Sequence, residues 1–161
     1  MRVLVIKTSS LGDVLHTLPA LTDAAHALPE IRFDWVVEEA FAEIPAWHPA
    51  VDSVIPVALR RWRKQPVQAL RGGEWRRFRT ALREQEYAKV IDAQGLIKSA
   101  VLTRMARGRR CGLDCASASE SLAALAYQER YAIPKGQQAL QRLRRLFAAA
   151  LGYDAPAELP D

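Results

Sequence analysis

The spacing of apolar positions changes several times along the chain, and each change marks an element. Arg2 to Lys7 is a short β-branched apolar run, the pattern of a buried parallel strand. From Asp13 to Leu28, Val14, Leu15, Leu18, Leu21, Ala25 and Leu28 recur at helical spacing, and Pro29 stops that helix. Ile31 to Val37 reads as a second strand, and Glu38 to Trp47 as a short helix with Pro45 close to its end. Val51 to Ala58 reads as a third strand, interrupted or ended by Pro56. The basic segment that follows, with Pro66 and Gly72-Gly73, reads as a long loop, and such loops in compact domains are usually functional or disordered. Glu74 to Tyr87 reads as a helix, Lys89 to Ala93 as a fourth strand, Leu96 to Ala106 as a helix, and Arg110 to Leu113 as a short fifth strand. Helices at Glu120 to Glu129 and Gln137 to Leu151 complete the pattern, with no internal repeat.

Strands alternating with helices at this spacing predict a Rossmann-like α/β unit, a parallel sheet covered by helices on both faces. A length of 161 residues fits one domain, placed here at 1–152. Residues 153–161 have no periodicity and contain two prolines, so they read as a linker to something that follows. Half the residues are hydrophobic and a quarter charged, the balance of a globular chain. No apolar run approaches the roughly 20 residues that span a bilayer. The stretch from Met1 to Lys7 is too short for a signal peptide. Two cysteines, Cys111 and Cys115, cannot build a disulfide scaffold and lack the partners of a zinc site, so a cytosolic home without a bound metal is expected.

The net charge of +5 is unevenly spread. Residues 60–79 hold eight basic side chains and the single acid Glu74, whereas residues 23–52 hold seven acids and Arg32 alone. A positive patch of that kind attracts polyanions: nucleic acid, anionic lipid or a phosphorylated sugar. An ordinary solvated face is the alternative.

Open α/β sheets bind ligands beyond the carboxyl ends of their strands. There the chain places Ser9, Ser10, Gly12 and Asp13 after the first strand, and Gln94, Gly95 and Lys98 after the fourth. Neither turn has the glycines of a dinucleotide or Walker fingerprint. Asp13 reads either as a helix-terminus carboxylate or as a general base at the mouth of the crevice. His16 falls on roughly the same helical face, as a partner or simply as a helix histidine. Arg60, Arg61, Arg63 and Lys64 surround Trp62, and arginine forks suit phosphate and carboxylate. Trp62 could stack on a ligand or pack.

The segment "MRVLVIKTSSLGDVLHTLPALTD" from Met1 resembles the N-terminus of the family 9 glycosyltransferases, more its type I than its type II heptosyltransferases. The blocks "FDWVVEEAFAEIPAWHPAV" from Phe33, "VIPVALRRWRK" from Val54 and "DAQGLIKSA" from Asp92 extend the resemblance, which holds to about Tyr153. The resemblance implies the N-terminal, acceptor-binding domain of a two-domain GT-B glycosyltransferase, with 153–161 opening the interdomain linker. It implies inverting transfer of L-glycero-D-manno-heptose from ADP-heptose to the Kdo of Kdo2-lipid A in inner-core synthesis, at the cytoplasmic face of the inner membrane, with no essential metal or cofactor and no nucleic-acid partner. It makes Asp13 the catalytic base. It also makes Ser9, Ser10, Gly12, His16, Arg60, Arg61, Arg63, Lys64, Gln94 and Lys98 the acceptor-binding set. The donor domain lies beyond this sequence, so the chain alone is expected to be inactive. The alternative is a non-catalytic basic module for nucleic acid or anionic lipid. One departure stands out: the family commonly has Arg-Glu-Pro where this chain reads Ser119-Glu120-Ser121.

Overall fold

The computed structural model describes residues 1–157. Residues 158–161, the last four of the expected linker, lie outside the described residues.

The first strand, β1 (Arg2–Ile6), pairs in parallel with β2 (Arg32–Glu38) on one side and with a later strand on the other. Between β1 and β2 runs α1 (Leu11–Ala27), which follows the N-cap Ser10, two residues ahead of the predicted start at Asp13, and ends before Pro29 as predicted. Alternation along β1 sorts its side chains onto two faces. Val3 and Val5 join Val14, Leu21, Phe147 and Leu146 in one core, and Leu4 and Ile6 join Phe78, Leu82 and Leu102 in the other.

Residues 39–47 form two 3₁₀ turns, Glu39–Phe41 and Pro45–Trp47, rather than the predicted helix. Pro45 has no N–H to donate and its ring clashes with the preceding turn, so the segment breaks in two. The strand β3 (Val51–Val57) runs through Pro56, which sits opposite Val37. It is an edge strand, where a missing donor is tolerated.

The segment expected to be a long loop is helical. It forms α2 (Leu59–Lys64) and α3 (Pro66–Arg71), broken at Gln65, the residue before a proline. Trp62 explains the order: its ring packs against Trp75 at 5.6 Å and Phe78 at 5.7 Å, so the segment is anchored to α4 (Glu74–Glu84). That helix stops before Tyr87, which belongs to β4 (Glu86–Asp92) and donates its hydroxyl to the buried Asp34 at 2.7 Å.

The chain continues through α5 (Ile97–Met105) and β5 (Arg107–Leu113), longer than its apolar core suggested. The predicted helix at 120–129 is instead a 3₁₀ run, Ser121–Ala126, followed by a sixth strand, β6 (Glu129–Tyr131). Tyr127 is pinned by its hydroxyl on Asp92, and Gln128 bonds to Arg110 through both backbone and side chain. The open edge of β5 therefore captures residues 129–131. The last helix is α6 (Ala139–Leu151), and Tyr153 packs against the core beyond it.

The sheet order is β3-β2-β1-β4-β5-β6, all parallel, with α1 and α6 on one face and α4 and α5 on the other. This is the Rossmann-like layering that the sequence pattern predicts. The strand order reverses between β1 and β4, and that switch point is where such sheets open a crevice.

Candidate active site at the switch point

The crevice is a cleft of about 430 Å³ at the carboxyl ends of β1 and β4. Its floor is built by two loops tied together. Thr8 gives both its backbone N–H and its hydroxyl to Gln94 Oε1, at 2.9 and 2.7 Å. The loop after β4 is folded by Asp92, a fully buried carboxylate. It accepts the N–H of Gln94 at 2.9 Å and of Gly95 at 3.2 Å, with Ser99 Oγ at 2.9 Å and the Tyr127 hydroxyl also in contact. Burial pushes the Asp92 carboxyl above the usual range, and these donors oppose the shift. Gly95 has a φ of 72°, a conformation that L side chains rarely adopt, so glycine is what lets the turn close.

Asp13 lies in the first turn of α1, on the cleft wall. Its Oδ2 accepts the backbone N–H of Ser10 at 3.1 Å and lies 3.2 Å from Ser10 Oγ. The carboxylate is thus held by a reciprocal cap and left half-exposed to the cleft. Ser9, Ser10, Asp13, Arg60, Gln94 and Lys98 all line this one space. These six of the sequence-derived candidates come together.

The other candidates sit elsewhere. Gly12 and His16 are exposed on α1 and do not line the cleft. Arg61 points to acids rather than to the cleft, pairing with Glu39 at 3.2 Å and Glu74 at 2.8 Å. Arg63 lines a separate groove, and Lys64 is exposed at the end of α2. Trp62 packs, and its indole N–H donates to Glu74 Oε2 at 2.6 Å. The cysteines are apart in role: Cys111 is buried and donates to Glu129 Oε2 at 3.0 Å, while Cys115 is exposed.

Three charged groups escaped the sequence reading. Lys7, the last residue of the first apolar run, is only 8% exposed, donates to Ala93 O at 3.1 Å and lines the cleft. Burial lowers its pKa, and the charges of Asp13 and Asp92 raise it. Arg142 comes from α6, fixed by the carbonyls of Ser117 at 2.7 Å, Ile133 at 3.2 Å and Pro134 at 3.2 Å, and lines the opposite wall with Ser119. Glu38, at the end of β2, keeps Oε1 buried without a hydrogen-bond partner. Burial raises its pKa, against the pull of the Arg60 and Leu59 amides and the Lys98 and Arg60 charges. An ionisable residue closing a buried strand was the available signal for Lys7 and Glu38; nothing in the local sequence marks Arg142.

One carboxylate held at a helix start and four cations, Lys7, Arg60, Lys98 and Arg142, share the cleft. That arrangement suits an anionic, hydroxyl-bearing ligand, with cations to hold its charge and a carboxylate to take a proton. Fold and cleft together define a Rossmann-like domain whose switch-point cleft is suited to a polar anionic ligand.

Comparison with known proteins narrows the class. The chain belongs to glycosyltransferase family 9, the heptosyltransferases, whose family model matches residues 75–161, more than half of its length. Lipopolysaccharide heptosyltransferase 1 of Pseudomonas aeruginosa is 62% identical over 162 residues, covering 100% of this chain and 46% of that protein. The structure of E. coli heptosyltransferase WaaC with ADP-2-deoxy-2-fluoro heptose superposes with a TM-score of 0.96 at 57% identity, over 100% of this chain and 51% of that one. E. coli ADP-heptose lps heptosyltransferase II shares the fold, with a TM-score of 0.72 at 19% identity, over 99% of this chain and 45% of that one. The chain therefore spans about half the length of the relatives it matches, and its architecture is the N-terminal half of the GT-B fold.

Proposed function

We propose that this chain is the acceptor-binding half of an inverting heptosyltransferase that moves L-glycero-D-manno-heptose from ADP-heptose to the Kdo of Kdo2-lipid A. The observation that carries the proposal is the cleft itself. Asp13 is held by Ser10 and shares one space with Lys7, Arg60, Lys98 and Arg142. Kdo carries a carboxylate and lipid A carries phosphates, the anions such cations bind best. Asp13 takes the proton of the attacking Kdo hydroxyl as that oxygen bonds to the heptose anomeric carbon, and the bond from that carbon to ADP breaks. ADP leaves with the electron pair, so the anomeric centre inverts. Cations in the cleft hold the acceptor's charge, and no metal is needed for the proton transfer.

The donor site belongs to the other half, the half of the related heptosyltransferase structures that this chain does not span. Ser119 lines the cleft where the family commonly places an arginine, and Arg142 supplies a cation on the same wall. The reading places the protein on the cytoplasmic side, peripheral to the inner membrane. No helix among the described residues is long and apolar enough to cross a membrane.

Calorimetric titration with a soluble Kdo disaccharide, beside a DNA oligomer of matched charge, tests the reading. The Kdo ligand should bind more tightly, and Arg60→Ala and Lys98→Ala should each weaken it about tenfold, the loss of one charge-assisted hydrogen bond. Equal binding of the DNA would favour an unspecific basic module. The chain alone should release no ADP from ADP-heptose in the presence of acceptor, and measurable turnover would overturn the division of labour.

A further inference from the structure

The cleft leaves one unusual surface unused. Of the six residues of α3 only Ala69 is buried, while Val67 and Leu70 are 58% and 68% exposed. They lie three apart and so neighbour each other on the helix surface. Behind them Leu59, Trp62, Pro66, Ala69, Leu70 and Trp75 line an apolar groove of about 400 Å³. Lys98 lines this groove and also the cleft, so the two spaces share a wall.

The surrounding charge is uncompensated. Arg63, Lys64 and Arg71 are exposed and enter no ion pair among the described residues. Glu74, the one acid of the region, is already engaged by Arg61 and Trp62. Exposed aliphatic side chains beside cations are what a membrane interface selects: the apolar groups enter the boundary and the cations meet lipid phosphates. A nucleic acid would use the cations and leave Val67 and Leu70 facing water.

We propose that the α2–α3 segment docks this domain on an anionic lipid bilayer. Val67 and Leu70 enter the headgroup–acyl boundary, and Arg63, Lys64 and Arg71 sit on lipid phosphates. The inference rests on the reading of the cleft as the site of a lipid-borne acceptor. It adds the surface that holds that cleft against the membrane, so that the acceptor's sugars reach Asp13 without leaving the bilayer.

Vesicle flotation tests it, with phosphatidylethanolamine vesicles carrying phosphatidylglycerol against vesicles of phosphatidylcholine alone. The chain should float with the anionic vesicles only, and added salt should weaken binding by screening the cations. Each cation removed should cost about fivefold. The double variant V67D/L70D should lose about a hundredfold, tenfold for each side chain withdrawn from the interface. Both positions are exposed, and an unchanged melting temperature will show that the variant folds. Its affinity for the soluble Kdo disaccharide should stay the same. Vesicle binding that survives V67D/L70D, or no vesicle binding at all by a chain that binds the disaccharide, would overturn the docking surface and leave the acceptor reading standing. A DNA oligomer that displaces the vesicles and binds V67D/L70D as well as the parent would assign the patch to nucleic acid and overturn the proposal. Vesicle binding lost in V67D/L70D, by a chain that ignores the disaccharide, would support the docking surface and sink the acceptor reading.

Discussion

Asp23 on α1 and Arg144 on α6 form a two-point ion pair, with Nε to Oδ2 at 2.6 Å and Nη2 to Oδ1 at 3.3 Å. Their side chains are 2% and 0% exposed. The pair joins two helices that lie side by side on one face of the sheet, and α6 is the helix that delivers Arg142 to the cleft. Asp23→Leu leaves a guanidinium buried, and a guanidinium cannot escape by losing its proton. Breaking such a pair from one side costs about 3–5 kcal/mol, a large fraction of the ~5–15 kcal/mol that holds a domain together. At about 2–4 °C per kcal/mol for a domain of this size, the melting temperature should fall by roughly 10 °C. Arg144→Met, which leaves the Asp23 carboxylate buried without that partner, should cost a similar amount. The double variant D23L/R144M replaces both charges by apolar groups and should recover most of the loss, since well-packed substitutes for buried pairs are often neutral. Urea unfolding followed by circular dichroism gives all three values. If Asp23→Leu costs under about 1 kcal/mol, or the double variant is as unstable as the two single losses added, the pair is not the clamp argued here.

Two further outcomes follow from buried groups outside the cleft. His48 Nδ1 accepts the Ala50 N–H at 3.1 Å, so its proton sits on Nε2, 3.0 Å from Thr22 Oγ1. Burial, then the Arg32 charge, lowers its pKa below 6.5, so the unfolded chain protonates first as pH falls. The stability given by the neutral ring is complete above about pH 6.5 and lost progressively below it; the urea midpoint should drop between about pH 7.5 and pH 5.5, and His48→Gln should flatten that drop. An identical slope in the variant would remove His48 from the account. Burial, and next the bond to Glu129, push the Cys111 thiol up to about 12, whereas Cys115 is exposed. A disulfide reagent at neutral pH should therefore label one thiol in the native chain and two in urea, and two fast thiols without denaturant would show that β5 opens.

Much of this molecule is legible in the order of its residues. Five strands and four helices follow from apolar spacing, because a strand buried on both faces or a helix buried along one stripe writes its period into the chain. The turn after β1 was legible too, and Asp13, Ser10, Gln94 and Lys98 meet because the two turns that carry them end adjacent strands. What the spacing missed shares one cause: it was decided by partners far away in sequence. Residues 59–71 coil because Trp62 finds Trp75 and Phe78. Residues 129–131 extend because β5 offers an open edge, and Tyr127 is held by Asp92. The division of the basic cluster was equally hidden, since Arg60 reaches the cleft while Arg61, one residue on, is turned to Glu39 and Glu74. Local periodicity thus determined the layers and the switch point. Only the packed fold decided which charges face one another there, because a charge's partner depends on distance in space and not on position along the chain.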